Sequence, residues 1–171
     1  MGKDCAVQKI SDIFQKFPRL TALIAGAISA FGFVPWGLWP LTLICFALLI
    51  HLVAQAGTAK RGFTLGWLFG VGHFTFGNQW IAVAFTFQAA MPIWLGYVAV
   101  VALALYLAVY PALAAWGAWL IKRLVISATA EATSAVTLPF ILAFAGFWTV
   151  TEWLRSWVFT GYVWNPLAAA F

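Results

Sequence analysis

Between residues 20 and 159 the sequence is a succession of apolar runs, at residues 20–34, 41–56, 63–87, 93–121 and 136–159, parted by short connections. Crossing a hydrocarbon core of roughly 30 Å takes about 20 apolar residues as helix. Inside that core every backbone N–H and C=O must be paired within the protein, which leaves helices or closed barrels. Runs this long, repeated along the chain, favour helices. Charged residues make up 8% of the chain and hydrophobic ones 65%, with a mean hydropathy of +0.99. A soluble domain has roughly a quarter of its residues charged, so water is not the main solvent here. The expected fold is all-α: a polytopic integral membrane bundle of about five transmembrane helices. Residues 1–19 lie ahead of it, and residues 160–171 begin a loop beyond it.

The net charge of +5 does not point to nucleic acid, because the basic residues sit in short clusters between apolar runs. Lys3, Lys9, Lys16 and Arg19 precede the first run, Lys60 with Arg61 follow the second, and Lys122 with Arg123 follow the fourth. With the N-terminus in the cytoplasm, all of these fall on one side and only Arg155 on the other. That asymmetry is the one the positive-inside rule describes. The tip at residues 35–40, the turn at residues 88–92 and the segment after Phe159 then face the opposite side, the periplasm in a bacterial inner membrane. No cleavage site follows the first run, so it reads as a span rather than a removable signal. Spans one and two form a hairpin with a tip rich in tryptophan and proline.

Cys5 and Cys45 have neither a CxxC pattern nor nearby metal-ligating partners and read as inert thiols. No metal site and no cofactor are expected. Gly66 and Gly70 stand four apart, with Gly62 and Gly77 in the same run, and Gly26 and Ala30 repeat the spacing in span one. Such faces let helix backbones approach closely. The third run also carries His73, Thr75, Asn78 and Gln79 before Trp80. Asn and Gln in a span commonly bond a neighbouring helix for roughly 1 kcal/mol, and Trp80 fits an interfacial belt. His73 reads as a packing histidine. Pro111 is expected to kink the fourth span.

Glu152 and Arg155, three residues apart, share a helix face. An ionised group this close to lipid is costly unless paired, solvated or turned to protein. Two readings stand side by side: a mutual ion pair that anchors the helix end, and a polar site at the outer membrane surface. Thr160 and Gly161 then break the helix, and Tyr162, Trp164, Asn165 and Pro166 continue as a loop.

Three stretches carry a resemblance: FGFVPWGLWPL (residues 31–41), GWLFGVGHFTFGNQWIAVAF (residues 66–85) and TEWLRSWVFTGYVWNPL (residues 151–167). In this order they resemble the N-terminal membrane domain of bacterial apolipoprotein N-acyltransferase. The last is similar to the family's T-E-x-L-R-(G/S)-W-x-(L/F)-T-G-(F/Y)-P-W. Val163 departs from it where the family has proline, and Ala84 stands where the family often has a small polar residue. The resemblance implies a multi-pass inner-membrane enzyme with two partners besides the membrane lipids: a phospholipid acyl donor and a diacylglyceryl apolipoprotein acceptor. The acyl chain passes to the N-terminal amine of the acceptor's modified cysteine, completing lipoprotein maturation. The family's catalytic Glu, Lys and Cys lie on a nitrilase-like domain. None of these is matched here, so no catalytic residue is assigned, and the chain is expected to be a fragment inactive in acyl transfer alone. Gly161 and Trp164 match the loop bordering the substrates. Glu152, Arg155, Tyr162 and Trp80 complete the expected substrate-binding or loop-supporting set.

Two other classes remain as alternatives. A small transporter or channel would need a polar path through the bundle, and the spans hold few ionisable groups and no internal repeat of the kind inverted-repeat transporters show. A structural membrane-assembly module would need a stable partner. An intramembrane protease lacks its paired acids or metal-binding histidines.

Overall fold

The computed structural model describes residues 16–87, 92–129, 136–158, 162 and 164–171, with side chains of residues 125–129 excepted. Among these residues it is all helical, with no strand. Helix α1 spans Pro18–Ser29 and runs into a 3-10 turn, Ala30–Gly32; α2 spans Trp39–Ala54 and α3 Ala59–Gly77. A short α4, Trp80–Phe85, is followed by α5, Ile93–Leu107, then α6, Val109–Thr129, and α7, Leu138–Val158. A 3-10 turn, Leu167–Ala170, comes last.

Local chemistry explains the starts. Pro18 and Pro40 lie in the first turns of α1 and α2, where a missing N–H costs nothing; Pro139 is the second residue of α7. Thr58 caps α3, its side chain accepting from the Arg61 N–H at 3.2 Å, which pairs one otherwise unsatisfied donor. In the tip between α1 and α2, Gly37 takes a left-handed φ of 63°, a conformation glycine adopts without a Cβ penalty.

Two helices expected as single spans are interrupted. The third run breaks at Asn78, which caps α3 instead of continuing it. The fourth breaks at Ala108 rather than at Pro111. A proline ring crowds the carbonyl four residues earlier, here Leu107, so the distortion falls ahead of the proline. By length and composition, one stretch among the described residues, Ile93–Leu124, is long and apolar enough to cross a membrane; Pro18–Gly32 and Trp39–Ala54 are shorter apolar helices.

Helix α3 is the centre of the packing, with α1 on one side and α6 on another, while α7 packs on α6 and α5 on α3. Glycine makes both contacts possible. A Cβ on Gly72 would strike the Leu23 carbonyl and come within 2.7 Å of the Ala27 nitrogen, and one on Gly26 would strike the Phe69 carbonyl. Towards α6, a Cβ on Gly66 would sit 2.6 Å from the Pro111 carbonyl oxygen, and one on Gly70 2.8 Å from Ala108 Cα. The four-residue spacing read in the sequence thus marks the α6 contact. The face towards α1 uses Gly72, which that spacing does not pick out.

Charge is sorted along the bundle. Trp119 Nε1 of α6 donates to the Ala56 carbonyl at 2.7 Å, and Lys122 Nζ donates to the Ala54 carbonyl. The start of α1, the end of α2, the start of α3 and the Lys122 region of α6 therefore share one end. At the opposite end, the Trp39 and Phe171 rings lie 5.8 Å apart. The basic segment at residues 1–15, the turn at 88–91 and the loop at 130–135 lie outside the described residues.

In detergent, Gly72→Ala is expected to lower the thermal midpoint of helix loss by several degrees, because its methyl meets backbone that cannot yield. Gly146, with open space around it, is the control: Gly146→Ala gains roughly 0.5–1 kcal/mol of helix preference and leaves the midpoint unchanged or raised.

Candidate functional site

Two interhelical hydrogen bonds, centred on Ser29, tie α1, α2 and α3 together near the end opposite the basic residues. Ser29 Oγ lies 2.7 Å from His73 Nδ1 and 2.6 Å from the Gly26 carbonyl, to which it donates. Thr42 Oγ1 donates to the Ser29 carbonyl at 2.8 Å. His73 is also walled by the rings of Phe33, Phe69 and Phe74 at 5.1–6.2 Å. It is a packed histidine, held by one hydroxyl.

Arg155, on the last turns of α7, is only 2% exposed. Its guanidinium carbon lies 4.9 Å from the centre of the Phe74 ring, a cation–π contact that strengthens when desolvated. Glu152, 19% exposed, has Oε1 3.5 Å from Arg155 Nη2. The same oxygen accepts a 2.7 Å hydrogen bond from the Leu167 N–H. One carboxylate therefore faces a buried cation and also holds the start of the final 3-10 turn. This clasp fixes the loop to the helix fifteen residues before it.

The loop returns over α3. A Cβ on Gly77 would run into the Asn165 side-chain amide, so that glycine makes the room Asn165 occupies. Asn165 has a φ of 48°, a left-handed conformation asparagine tolerates better than most residues. Trp164 packs on the cluster of Phe74, Ala104, Leu107 and Tyr110, and its ring lies 5.0 Å from that of Tyr162. Tyr110 OH lies 3.1 Å from Tyr106 OH.

Several buried polar atoms here have no partner among the described residues: both side-chain atoms of Asn78, Arg155 Nε and Asn165 Nδ2, with Trp148 Nε1 further down α7. A buried polar group left unpaired costs about 1–3 kcal/mol. No group of three potential metal ligands occurs among the described residues.

Of the residues expected from the sequence, Glu152, Arg155 and Trp164 converge on the end of α3. Tyr162 joins them through Trp164 while 57% exposed, and Trp80, 56% exposed, opens α4 just after the Asn78 break. Gly161 and Val163 lie outside the described residues. Asn78, expected to bond a neighbouring helix, is buried with no side-chain partner among the described residues. Phe74, Tyr110 and Asn165 were missed as parts of this cluster. The only local signal for Asn165 was its place in the loop motif.

The chain matches the family model for the apolipoprotein N-acyltransferase N-terminal domain over residues 25–171. Among curated relatives, one from Chromobacterium violaceum is 34% identical over 146 residues, 85% of this chain and 26% of its own length. A Caulobacter vibrioides relative is 37% identical over 147 residues, 84% of this chain and 25% of its own. A third, from Vibrio vulnificus, is 31% identical over 153 residues, 89% of this chain and 28% of its own. All three carry the name apolipoprotein N-acyltransferase, and this chain spans about a quarter of their length.

Glu152→Gln keeps an acceptor for the Leu167 N–H but strips the buried guanidinium of its counter-charge. It is expected to cost roughly 3 kcal/mol, and the double variant Glu152→Gln/Arg155→Met to recover most of that. Denaturant titrations of the purified chain followed by circular dichroism measure both.

Proposed function

The chain belongs to the family of the apolipoprotein N-acyltransferase N-terminal domain, and from that membership we propose that it forms the membrane half of a lipoprotein-acylating site. In this reading it is a multi-pass bundle of a bacterial inner membrane with about five spans and a cytoplasmic N-terminus. Two features support the orientation. The described lysines, with Arg19, Arg61 and Arg123, collect at one end, as the positive-inside rule leads one to expect. Exposed Trp36, Trp39 and Tyr162 gather at the other, where an aromatic belt would sit.

The reaction is transfer of a phospholipid acyl chain to the N-terminal amine of a diacylglyceryl-modified cysteine, with the covalent chemistry carried by residues outside these 171. This chain's own part is to hold and orient. The carboxylate clasp of Glu152 on Leu167 supports the reading most directly, since it seats Trp164 and Asn165 over the end of α3. Trp164 and Tyr162 supply an aromatic wall for an acyl chain. The unpaired amides of Asn78 and Asn165 suit the ester and amide oxygens of the substrates, while Arg155 stays beneath them as a buried positive support. Gly161 belongs to the same loop by its match to the family motif. No residue of this set is a nucleophile.

A chimera tests this, in which residues 25–171 replace the matched segment of the Chromobacterium violaceum relative. Trp164→Ala in that chimera is expected to lower acyl transfer at least about tenfold, the scale of losing a stacked aromatic contact, with membrane insertion unchanged. Full activity in the variant would remove the loop from the mechanism. Solute flux through vesicles holding the chain would favour a transporter instead.

A further inference from the structure

At the basic end, about 20–26 Å along α3 from Asn78 at 1.5 Å per residue, the bundle has a cavity of about 610 Å³. That volume falls in the usual range for small-molecule sites. Its lining brings together three elements: Lys16, Phe17, Arg19 and Leu20 at the start of α1, Leu52 and Gln55 at the end of α2, and Arg61, Thr64 and Leu65 at the start of α3. Three of these side chains are cations, and none of the described lining residues is acidic.

The lining is divided by chemistry. Leu52 and Leu65 are buried, while Phe17 and Leu20 are apolar yet exposed beside the cations. Lys16 Nζ lies 5.7 Å from the Phe17 ring centre. Thr64 Oγ1 is already engaged, donating to the Lys60 carbonyl at 2.8 Å. A free anion would satisfy the cations but leave the apolar wall bare. An amphiphile with a phosphate and a hydrocarbon chain satisfies both.

We propose that this cavity is a binding site for an anionic phospholipid of the cytoplasmic leaflet. Arg19, Arg61 and Lys16 take its phosphodiester, and Leu20, Leu52 and Leu65 receive the first carbons of an acyl chain. The proposal rests on the membrane-spanning reading above. The bound lipid is not the acyl donor, because the cavity lies at the opposite end from Trp164 and its described lining offers neither thiol nor carboxylate. It fastens α1 to α3 at the end where the glycine contacts give way to charge.

The test uses the purified chain in neutral detergent micelles, with dioleoylphosphatidylglycerol as probe and dioleoylphosphatidylcholine as comparison, scored by native mass spectrometry. The glycerol lipid is expected to bind at least about tenfold more tightly than the choline lipid, and Arg19→Gln/Arg61→Gln to remove about tenfold of its affinity. Lys60→Gln, a neighbouring cation outside the lining, is expected to stay within about twofold of the parent. Equal binding of the two lipids, or an equal loss from Lys60→Gln, overturns the site in favour of diffuse surface charge. Full displacement of the lipid by inorganic phosphate overturns the lipid in favour of a free anion. Should the double variant lose its helical circular dichroism, Lys16→Gln takes its place, with a weakening of at least about threefold expected. Alkaline carbonate extraction of cell membranes is scored separately. A chain that is washed off overturns the membrane reading itself, whereas one that stays, yet shows no lipid preference, overturns only the site.

Discussion

The close approach of α3 to α1 and to α6 is the contact on which the rest of the molecule depends. Helices in lipid gain little from the hydrophobic effect against one another, since the tails are as apolar as leucine, and they associate through packing and a few interhelical hydrogen bonds. Gly72 and Gly26 bring α3 and α1 backbone to backbone, and Gly66 and Gly70 do the same for α3 and α6. Those distances allow Ser29 to reach His73 and Thr42 to reach Ser29. They also make α3 the axis that joins two chemically different ends.

At one end of that axis the chain places cations around an open cavity; at the other it buries a single cation. A buried ion pair often contributes little to stability, because desolvation offsets the attraction. Arg155 is therefore better understood through what it arranges. It lies over Phe74 and beside Glu152, and Glu152 in turn holds Leu167. Removing the guanidinium would free a carboxylate whose second task is to hold a loop. Polar atoms of Asn78 and Asn165 left unpaired in the same region are the kind of cost a protein bears where something else is to be bound.

Much of this was legible in the sequence, and the remainder failed for identifiable reasons. The apolar runs fall on helices, with some starts shifted by a few residues: α2 begins at Trp39 rather than at residue 41 and α7 at Leu138 rather than at residue 136. Gly66 and Gly70 announced their face by spacing. Gly72 did not, because it sits two residues on and thus on a different side of the helix. The break at Asn78 is hidden by the apolar runs that flank it, whereas the one at Ala108 is the kink expected of Pro111, lying ahead of the ring. Glu152 and Arg155 were recognisable as a pair from their i, i+3 spacing. That Arg155 meets Phe74, and that Asn165 fills the space beside Gly77, are contacts between residues far apart in the chain, which no local pattern encodes.

In the proposed arrangement α3 crosses the bilayer with its basic start in the cytoplasm and its Asn78 end outside. Single cysteines placed at Thr58 and Phe87, in a chain whose Cys5 and Cys45 are replaced by serine, report this directly through a membrane-impermeant maleimide. Cysteine at position 87 is expected to be labelled in intact spheroplasts, and cysteine at position 58 only after the membrane is opened. Labelling in the reverse order, or of both before lysis, would contradict the account.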